Sequence, residues 1–535
     1  MPEPALRTLQ TGGRYQGTPF DLQEQLDAEF IPFGDWLPDV APLGHPGCLN
    51  ARNCVPRTNS YGEMRGLAAV TEGGVLPSRV LAHTWAQGRD ASYHNFCATE
   101  TNIYRLVNPT ADEDEGEEVW ADMNATGVSY VAAGWEFVTW GDLVIAFSRE
   151  HPPQFINVED STARFADLPG DPPTAKRAAI VSDFLMTGDV SGNPNRVHWS
   201  GYDNIETWAS SIRTQADFQD LPSHLGRVQR IMPGEFGLVF CDHGVIRMDL
   251  AGGEASVLVF TVDAQEQVLG TPAPESVCKQ GNNVFFFSHG GFMRFDGAQM
   301  VPIGANRVDE WFRAEVSRAQ LRNIQGVVDR TGRLVLWGFT SERAGGDTFD
   351  SYLIYNWVSD RWSHARMESG ENGLLSCELL TEYIPTSVTL EQLTTPLDTP
   401  GQASWDSDAY LGSVISVACF LTTHQLGVFG GDALRAEFET REVGAPSRRL
   451  RCVGIRPVID RMDGGSGDEV TAYVAHRDQL SDLSSAKTMA ASVYPASGVS
   501  PQNISSRYQR YGVFVSGGFE HAHGCVPELR LEGRH

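Results

Sequence analysis

The sequence predicts an all-β protein: a β-propeller-like body of about 6–7 blades or blade-like units, with an extended N-terminal arm and a C-terminal antiparallel β-domain. Residues 237–249 (GLVFCDHGVIRMD) and 283–296 (NVFFFSHGGFMRFD) share one hairpin pattern. Each has an apolar run, a His-Gly turn and a second run with hydrophobic-Arg-hydrophobic and Asp. Short β-type runs separated by Gly, Pro and Asn or Asp continue along most of the chain. Repetition of this kind is typical of propellers and other repeat proteins.

Residues 1–60 are expected to form the extended arm. Gly and Pro recur between residues 32 and 47, which disfavours regular structure. Phe33 and Trp36 are large apolar side chains in this stretch, and we expect them to dock on the body or on a neighbouring subunit. The first residues lack an apolar core of signal-peptide length, and no run approaches about 18 apolar residues. We therefore expect synthesis and folding in the cytoplasm, without a membrane span.

Residues 61–430 are expected to form the propeller-like body. Six strands mark the repeat at intervals of 41 to 54 residues. They begin near Phe96, Leu143, Phe184, Leu238, Val284 and Leu334. Each interval fits one four-stranded blade, and strand-like runs in 373–429 would supply a seventh. A set of unrelated antiparallel sheets is the alternative. Residues 307–322 have apolar side chains at helical spacing, which predicts a single helix.

Residues 431–535 are expected to form a separate antiparallel domain. The runs ALRAEFETREV, RRLRCVGIRPVID and EVTAYVAHRD are strand-like, and a sandwich of about 100 residues is the natural interpretation. Two polar stretches, 112–118 (DEDEGEE) and 386–406, are expected to be solvated loops.

Charge and cysteine content restrict the function classes. The chain has 41 basic and 68 acidic residues, a formal net charge of −27. Such an excess disfavours sequence-specific DNA binding, which depends on Lys and Arg at phosphates, whereas a conduit through which DNA slides would favour an acidic wall. The nine cysteines are odd in number, and none forms a C-x-x-C pair. We expect buried free thiols rather than disulfides or a zinc site.

Two short motifs contain residues of the types that bind metal ions. His521 and His523 lie two residues apart, so both face one side of a strand, and a third ligand from elsewhere would complete a metal site. A polar outer face or an inter-subunit contact is the commoner role of such a pair. The stretch from Asp463 through Asp468 to Glu469 lacks the alternating ligands of a calcium loop, so a glycine-rich turn explains it better.

Three features of the sequence bear on carbohydrate binding or cleavage. The stretch from Asp329 to Trp337 is reminiscent of an Asp-box turn of sialidase-type propellers, although Asp-x-x-Gly turns also form for local reasons. A glycosidase needs two carboxylates at a set separation, and none can be singled out among 68 acidic residues. Four tryptophans could be sugar platforms, but their place beside β-runs favours core packing. They are Trp199, Trp208, Trp357 and Trp362. With no G-x-S-x-G, H-E-x-x-H or P-loop in the sequence, we expect no enzyme and assign no catalytic, cofactor-binding or metal residue.

The stretch 30–67 (FIPFGDWLPDVAPLGHPGCLNARNCVPRTNSYGEMRGL) carries a resemblance. It resembles the opening of tail nozzle and tail tube proteins of short-tailed bacteriophages, which include packaged-DNA stabilisation proteins. The similarity continues through short motifs as far as about residue 365. These include VHWSGYDNIETW (197–208), HGGFMRFDG (289–297), IGANRVDEWF (303–312) and LIYNWVSDRWS (353–363).

This resemblance implies a structural virion protein. A homo-oligomeric ring, of six copies, would lie below the portal and adaptor proteins, retain packaged DNA and form the channel for its ejection. Its partners would be the portal and adaptor proteins and the tail fibres of the same virion. Double-stranded DNA would pass with weak, non-specific contact, without cofactor or membrane. The locally basic stretch 448–452 could meet an acidic partner, although a solvated strand face is its default role. The alternatives are a carbohydrate-binding or carbohydrate-cleaving propeller acting as a tail receptor-binding component, and a cellular scaffold propeller.

Overall fold

The computed structural model describes residues 29–532 with short gaps. The gaps are 45, 71–72, 91, 108–117, 251–257, 263–268, 368–374, 385–414, 445–447, 462–468, 483–484 and 495. The stretches 112–117, 386–406 and 463–468, for which loops or a turn are expected, lie outside the described residues.

The N-terminal segment contains short strands whose partners lie far along the chain. They are β1 (Ile31–Pro32), β2 (Cys48–Arg52), β3 (Cys54–Pro56), β4 (Tyr61–Glu63) and β5 (Ala68–Ala69). Only β3 and β4 form a local hairpin, and this hairpin crosses the boundary expected at residue 60. Phe33 and Trp36 are each 1% exposed, which confirms that they dock on the rest of the chain.

Five consecutive four-stranded antiparallel sheets follow, each with its strands in chain order. Sheet 1 contains β6 (Ala82–Gln87), β7 (Tyr93–Ala98), β8 (Ile103–Val107) and β9 (Val119–Asp122). Sheet 2 contains β10 (Glu136–Trp140), β11 (Leu143–Phe147), β12 (Gln154–Asn157) and β13 (Ala166–Asp167). Sheet 3 contains β14 (Ala175–Val181), β15 (Phe184–Val190), β16 (Asn193–Trp199) and β17 (Asp217–Asp220). Sheet 4 contains β18 (Val228–Met232), β19 (Gly237–Cys241), β20 (Val245–Leu250) and β21 (Leu258–Val262). Sheet 5 contains β22 (Cys278–Gln280), β23 (Asn283–Ser288), β24 (Gly291–Phe295) and β25 (Met300–Pro302). Single-turn 3-10 helices lie at Ser223–Leu225 and Pro274–Ser276.

The helix expected over 307–322 is shorter than predicted. Helix α1 spans Asp309–Glu315, and a 3-10 helix spans Arg318–Asn323. Between them Val316 is extended, with φ −71° and ψ 137°, and bridges Ser341. The Ser317 amide donates to the Thr340 carbonyl at 2.9 Å. This sheet contact ends the helix, and the apolar periodicity could not reveal it because Val316 is buried in either arrangement.

Two further sheets complete the body. Sheet 6 contains β26 (Gln325–Asp329), β27 (Leu334–Phe339), β28 (Ser351–Asn356) and β29 (Arg361–Arg366). Sheet 7 contains β30 (Cys377–Tyr383), β31 (Ser416–Leu421) and β32 (Leu426–Val428). The N-terminal strand β5 supplies its fourth strand, with Ala69 opposite Gly427 and Ala68 opposite Val428. The start and the end of the body are thus joined in one sheet.

Within the described residues, nine strands follow sheet 7. They are β33 (Ala436–Thr440), β34 (Val443–Gly444), β35 (Arg449–Arg461), β36 (Val470–Arg477), β37 (Ala486–Lys487), β38 (Ala491–Ser492), β39 (Ser500–Ser506), β40 (Tyr508–Val515) and β41 (Phe519–Glu532). One sheet has the order β3-β4-β41-β35-β39, with β1 on β41. The other has the order β2-β33-β40-β36-β37, with β34 on β40 and β38 on β36, and continues through β2 into β29 of sheet 6. Both contribute to one apolar cluster.

The repeat strands predicted from the sequence are the second strands of sheets 1 to 6. Four of them, β11, β19, β23 and β27, are almost continuous apolar runs, such as LVIAF in β11 and LVLWGF in β27, because both faces of the strand are buried. In β11 Val144 packs in the cluster shared with sheet 1, whereas Ile145 packs in the cluster shared with sheet 3.

Each pair of neighbouring sheets in the body shares an apolar cluster, and the order of these clusters is cyclic. Successive sheets from 1 to 7 share an apolar cluster pair by pair. Sheets 7 and 1 share a further apolar cluster. Sheet 7 contributes Leu379 and Phe420 to it, and sheet 1 contributes Cys97 and Tyr104. The described part of the chain is therefore all-β except for α1 and the 3-10 turns. No helix in it is long and apolar enough to span a membrane.

Candidate functional site at the junction of arm, sheet 6 and terminal sheets

The N-terminal segment from residue 29 to 66 lies between sheet 6 and the terminal sheets, and we call this contact region the junction. Strand β2 pairs in parallel with β29 through Arg52 and His364, and antiparallel with β33. Strand β1 pairs with β41, where Ile31 lies opposite Cys525. The segment therefore bridges two parts of the fold that are far apart in sequence.

Arg361, the first residue of β29, is the centre of the junction. Its Nη1 donates to the carbonyls of Arg57 and Ser60 at 2.9 and 3.0 Å. Its Nη2 donates to the carbonyls of Phe33 and Gly34 at 3.1 and 2.9 Å. The Asp35 carboxylate lies 2.9 Å from Nε but out of line for a hydrogen bond, so this contact is ionic. One buried guanidinium thus satisfies four backbone acceptors that no strand ladder reaches.

Aromatic packing fixes the same segment. The Phe33 ring stacks on Phe438 of β33 with centroids 4.8 Å apart. The Trp36 ring meets Trp311 of α1 edge to face at 4.7 Å and His364 at 4.6 Å, and its Nε1 donates to the Leu49 carbonyl. Aromatic pairs stabilise a fold by more than their buried apolar area accounts for. The arm is therefore held by apolar contacts as well as by Arg361.

The cysteines at the junction are inert. Burial raises the pKa of Cys48 to about 12, although its thiol lies 3.8 Å from the Tyr61 hydroxyl. Burial likewise raises the pKa of Cys54 well above its usual range. All nine cysteines lie within the described residues and are buried and free, as expected from the sequence. A thiol held in the neutral form is a poor nucleophile and metal ligand.

A buried pair of carboxylates lies next to the junction. Glu437 and Glu439 point to one side of β33, and the Tyr473 hydroxyl lies 2.7 and 2.8 Å from their oxygens. Arg52 and Lys487 are 3.4 Å from Glu437, and Arg510 is 2.8 Å from Glu439. Burial and the two carboxylates raise the pKa of Tyr473.

This pair matters because two carboxylates are what glycoside hydrolysis needs. Each glutamate is only 5% exposed, and cations from two terminal strands and from the arm contact the pair. The arrangement leaves no face for a sugar, and the carboxylates are matched by positive charge. Its chemistry is that of a structural ion cluster.

A second ion cluster connects the first strands of three neighbouring sheets. Arg177 of β14 lies 3.1 Å from Glu136 of β10 and 2.7 Å from Glu275, and Arg230 of β18 lies 2.8 Å from Glu275. Burial opposes ionisation of Glu275, but Arg177 and Arg230 outweigh it and hold the pKa of its carboxyl at about 2. The cluster ties sheets 2, 3 and 4 together at the edge formed by their first strands.

The structure places the predicted histidine pair on one side of β41. The rings of His521 and His523 lie 5.5 Å apart, but they have different partners. His521 Nδ1 is 2.8 Å from the Ser60 hydroxyl, and His523 Nε2 is 3.1 Å from Asp460. No group of three His, Cys, Asp or Glu side chains in the described ranges could hold a metal ion. His521 therefore makes a polar contact between β41 and the arm, and His523 makes one between β41 and β35.

The remaining motifs have local roles. The Gly332 amide donates to Asp329 at 2.9 Å, which makes the Asp-box-like stretch a hairpin turn. Three of the four tryptophans considered as sugar platforms, Trp199, Trp208 and Trp362, are buried in the core, and Trp357 is half-buried against it. In the basic stretch 448–452, Arg449 pairs with Asp478 and Arg451 contacts Asn503 and Glu532.

Sequence reasoning missed Arg361, Arg177 and the glutamates of β33. Arg177 lies in the run AKRAAIV, the two glutamates alternate with apolar residues in AEFET, and Arg361 begins the buried strand RWSHAR. A charge at such a position must find a partner when the strand is buried on both faces, and this is the signal that could have marked them.

Comparison with known proteins adds little at the level of sequence. No family model matches the chain, and no curated protein matches it. Among solved structures, the extracellular domain of a hybrid two-component system from B. thetaiotaomicron has 10% identity and a TM-score of 0.37, over 78% of this chain and 45% of that one. This chain thus covers less than half the length of that protein. A mitotic checkpoint complex structure has 10% identity and a TM-score of 0.32, over 69% of this chain and 92% of that one.

Proposed function

We propose that the seven sheets are the blades of a closed β-propeller. The cyclic order of the apolar clusters supports this, because sheet 7 shares a cluster with sheet 1. Strand β5 supports it too, since a strand from before the first blade completes the last one. His83 of β6 is 2.8 Å from Thr381 of β30, a polar link across the same closure. Strands of closed rings have only short, protected edges.

We propose that this propeller belongs to a structural virion protein, a subunit of a ring-shaped tail nozzle or tail tube. The observation that carries the proposal is the role of residues 30–67. The stretch with the strongest phage-like pattern is the one that Arg361 and the aromatic contacts clamp into the junction. A motif of this kind has a structural use in the fold, which suits an assembly protein better than an enzyme.

Charge gives the proposed mechanism. With a net charge of −27 the chain repels the DNA backbone, so a ring of copies would offer a passage to which DNA does not adhere. The ring would hold the DNA end until infection and then let it slide out. Portal, adaptor and fibre proteins of the same particle are the proposed neighbours, and the tail is the proposed location.

The buried tryptophans and the enclosed glutamate pair count against the carbohydrate alternative, since neither presents a surface to a sugar. The two functions differ in a simple measurement. A glycan array and a hydrolysis screen on the purified chain should give neither binding nor cleavage. Selective binding of one glycan would favour the receptor-binding function instead.

The decisive test is the composition of purified phage particles. Quantitative mass spectrometry should find the chain in particles at about six copies, a number that comes from the resemblance alone. Cryo-electron microscopy should place it as a ring on the tail axis. Absence of the chain from purified particles would contradict the proposal. A soluble monomer in isolation would not, because such a ring forms on its platform.

A further inference from the structure

A cavity of about 300 Å³ opens where the arm, sheet 6 and β41 meet. The turn after β3 contributes Arg57, Thr58 and Asn59, the turn after β26 contributes Arg333, the turn before β29 contributes Ser359, and β41 contributes His521. We propose that this cavity is a binding site for a phosphate group. The proposal does not depend on the proposed function, because it rests on the cavity alone.

The charge of the cavity is unusual for this chain. Arg57 and Arg333 both line it, and neither has an ion-pair partner within the described part of the chain. No residue of that part that lines the cavity is acidic. The carboxylate of Glu520, which is exposed to solvent, lies 3.6 Å from His521 Nε2. In a protein of net charge −27, two guanidinium groups without acids form a local positive site.

The cavity is also lined by Ser359, whose neutral, buried hydroxyl has no hydrogen-bond partner among the described residues. Such orphaned groups are rare, and a bound ligand or water is the usual explanation. The ring of His521 also lines the cavity, with its Nδ1 2.8 Å from the Ser60 hydroxyl. A phosphate group accepts hydrogen bonds in several directions, and this set offers donors from three turns and a strand.

The scaffold holds these groups in place. Asn356 donates to the Pro56 carbonyl at 3.0 Å and accepts from the amides of Val358 and Ser359 at 3.1 and 3.0 Å. It thereby ties the turn of sheet 6 to the arm. The guanidinium of Arg57 lies over Gly62 of β4, where an added Cβ would come within 2.6 Å of Nε. Gly62 therefore leaves the space that the Arg57 side chain occupies.

Phosphate is favoured over a carboxylate by the number and type of donors. Guanidinium groups bind phosphate through paired N–H bonds, and two arginines can hold two edges of the tetrahedron. A carboxylate is planar and has two oxygens, so it offers fewer acceptor directions to the two guanidinium groups and the Ser359 hydroxyl. The volume would also admit several waters, at roughly 30 Å³ each. The phosphate could be a free ion or the backbone of a nucleic acid, and the two sources are separated by experiment.

The test is calorimetric titration of the full chain with inorganic phosphate at low ionic strength. Arg57→Met and Arg333→Met should each weaken binding by about tenfold, as expected for loss of a charged hydrogen-bond donor. Arg213→Met is the matched control, because Arg213 is an exposed arginine on sheet 3 and should leave the affinity unchanged. Gly62→Ala should weaken binding without removing a charge, since it displaces the Arg57 guanidinium.

Thermal unfolding of each variant, with a midpoint equal to that of the parent, excludes a folding defect as the cause. Competition with a short DNA duplex then identifies the source. Displacement of phosphate by the duplex assigns the site to a nucleic-acid backbone, and lack of displacement assigns it to a free ion or monoester. The proposal is overturned if the parent chain binds no phosphate, or if Arg57→Met and Arg333→Met both bind phosphate as tightly as the parent does.

Discussion

The guanidinium of Arg361 lies over the ring of Tyr61, 4.5 Å from its centroid. Cation–π stacking adds to the four carbonyl contacts and to the Asp35 ion pair, so one side chain engages the arm on every side. Arg361 is 4% exposed and belongs to β29. The arm and sheet 6 consequently behave as one unit, although more than 300 residues separate them along the chain.

Replacement of Arg361 should therefore destabilise the protein more than any surface change. Arg361→Met leaves the Phe33 and Arg57 carbonyls without their donor, whereas the Gly34 and Ser60 carbonyls keep bonds from the Tyr61 hydroxyl and the Arg57 amide. We expect a loss of about 3 kcal/mol in the free energy of unfolding. Arg361→Lys should restore only part of this, because an ammonium group cannot match the planar fork. Urea unfolding followed by tryptophan fluorescence measures both, with Arg213→Met as the control. A change below about 1 kcal/mol for Arg361→Met would show that the arm is held by its apolar contacts alone.

The closing strand of sheet 7 can be tested at Val70. Its amide donates to the Leu426 carbonyl at 2.8 Å, next to the pairing of β5 with β32. Val70→Pro removes that donor, whereas Val70→Ala keeps it and loses a similar amount of apolar surface. We expect the proline variant to be about 2 kcal/mol less stable than the alanine variant. Limited proteolysis should then cut first in 377–428. Equal stability and equal cleavage of the two variants would contradict closure by β5.

The positions of many strands could be predicted from the sequence, but the pairing of the strands could not. Strands such as β11 and β27 are buried on both faces, and this burial produces the apolar runs and their repeat. Strand β2 pairs with β33 nearly 400 residues away, and no local pattern encodes that register. The end of α1 at Glu315 also depends on a tertiary contact, since Val316 is held by sheet 6.

The candidate sites show the same division. The expected thiols and core tryptophans follow from composition and position, and the structure buries them accordingly. Arg57, Arg333 and His521 meet only through the fold, because they come from three separate regions of the chain. Their charges are visible in the sequence, but the lack of acidic partners is a property of the tertiary structure.

Asp309 should make stability fall as pH rises. Burial, with Asp39 nearby, raises the pKa of its carboxyl to about 6, despite the Phe292 amide bond and Arg313. Gly291 (φ 120°) and Gly304 leave the space that this carboxyl fills, since a Cβ at either would overlap it. In the unfolded chain the group ionises near 3.8, so the folded state is penalised progressively between about pH 3.8 and 6.

Asp309→Asn keeps the acceptor and removes the ionisation. We expect it to be as stable as the parent near pH 4 and more stable near pH 7.5, by up to about 3 kcal/mol. Asp296→Asn is a control of opposite sign, because bonds from Gln299 and Ala298 lower the pKa of Asp296. Thermal unfolding across this pH range measures the stability of each variant relative to the parent. If the relative stabilities of the two variants changed in the same direction as pH rises, the raised pKa of Asp309 would be wrong.

His83 should give the opposite pH dependence at the closure of sheets 1 and 7. Its ring packs against Trp120 and Phe420, and its Nδ1 lies 2.8 Å from the Thr381 hydroxyl. Burial lowers the pKa of His83 to about 3, so the folded protein holds it neutral. Below pH 6.5 the unfolded chain takes up a proton that the folded chain refuses, and stability is lost between about pH 6.5 and 3.

His83→Asn keeps a polar amide group in the place of Nδ1, and this amide is not protonated in the pH range considered. Between pH 7 and 5 the parent should lose about 2 kcal/mol more than the variant, since one proton corresponds to about 1.4 kcal/mol per pH unit. His224→Asn, at an exposed histidine beside Leu225, is the control and should follow the parent. Urea unfolding at each pH gives the comparison. Parallel curves for the parent and His83→Asn would mean that the folded protein admits the proton, and that sheets 1 and 7 are not closed around this ring.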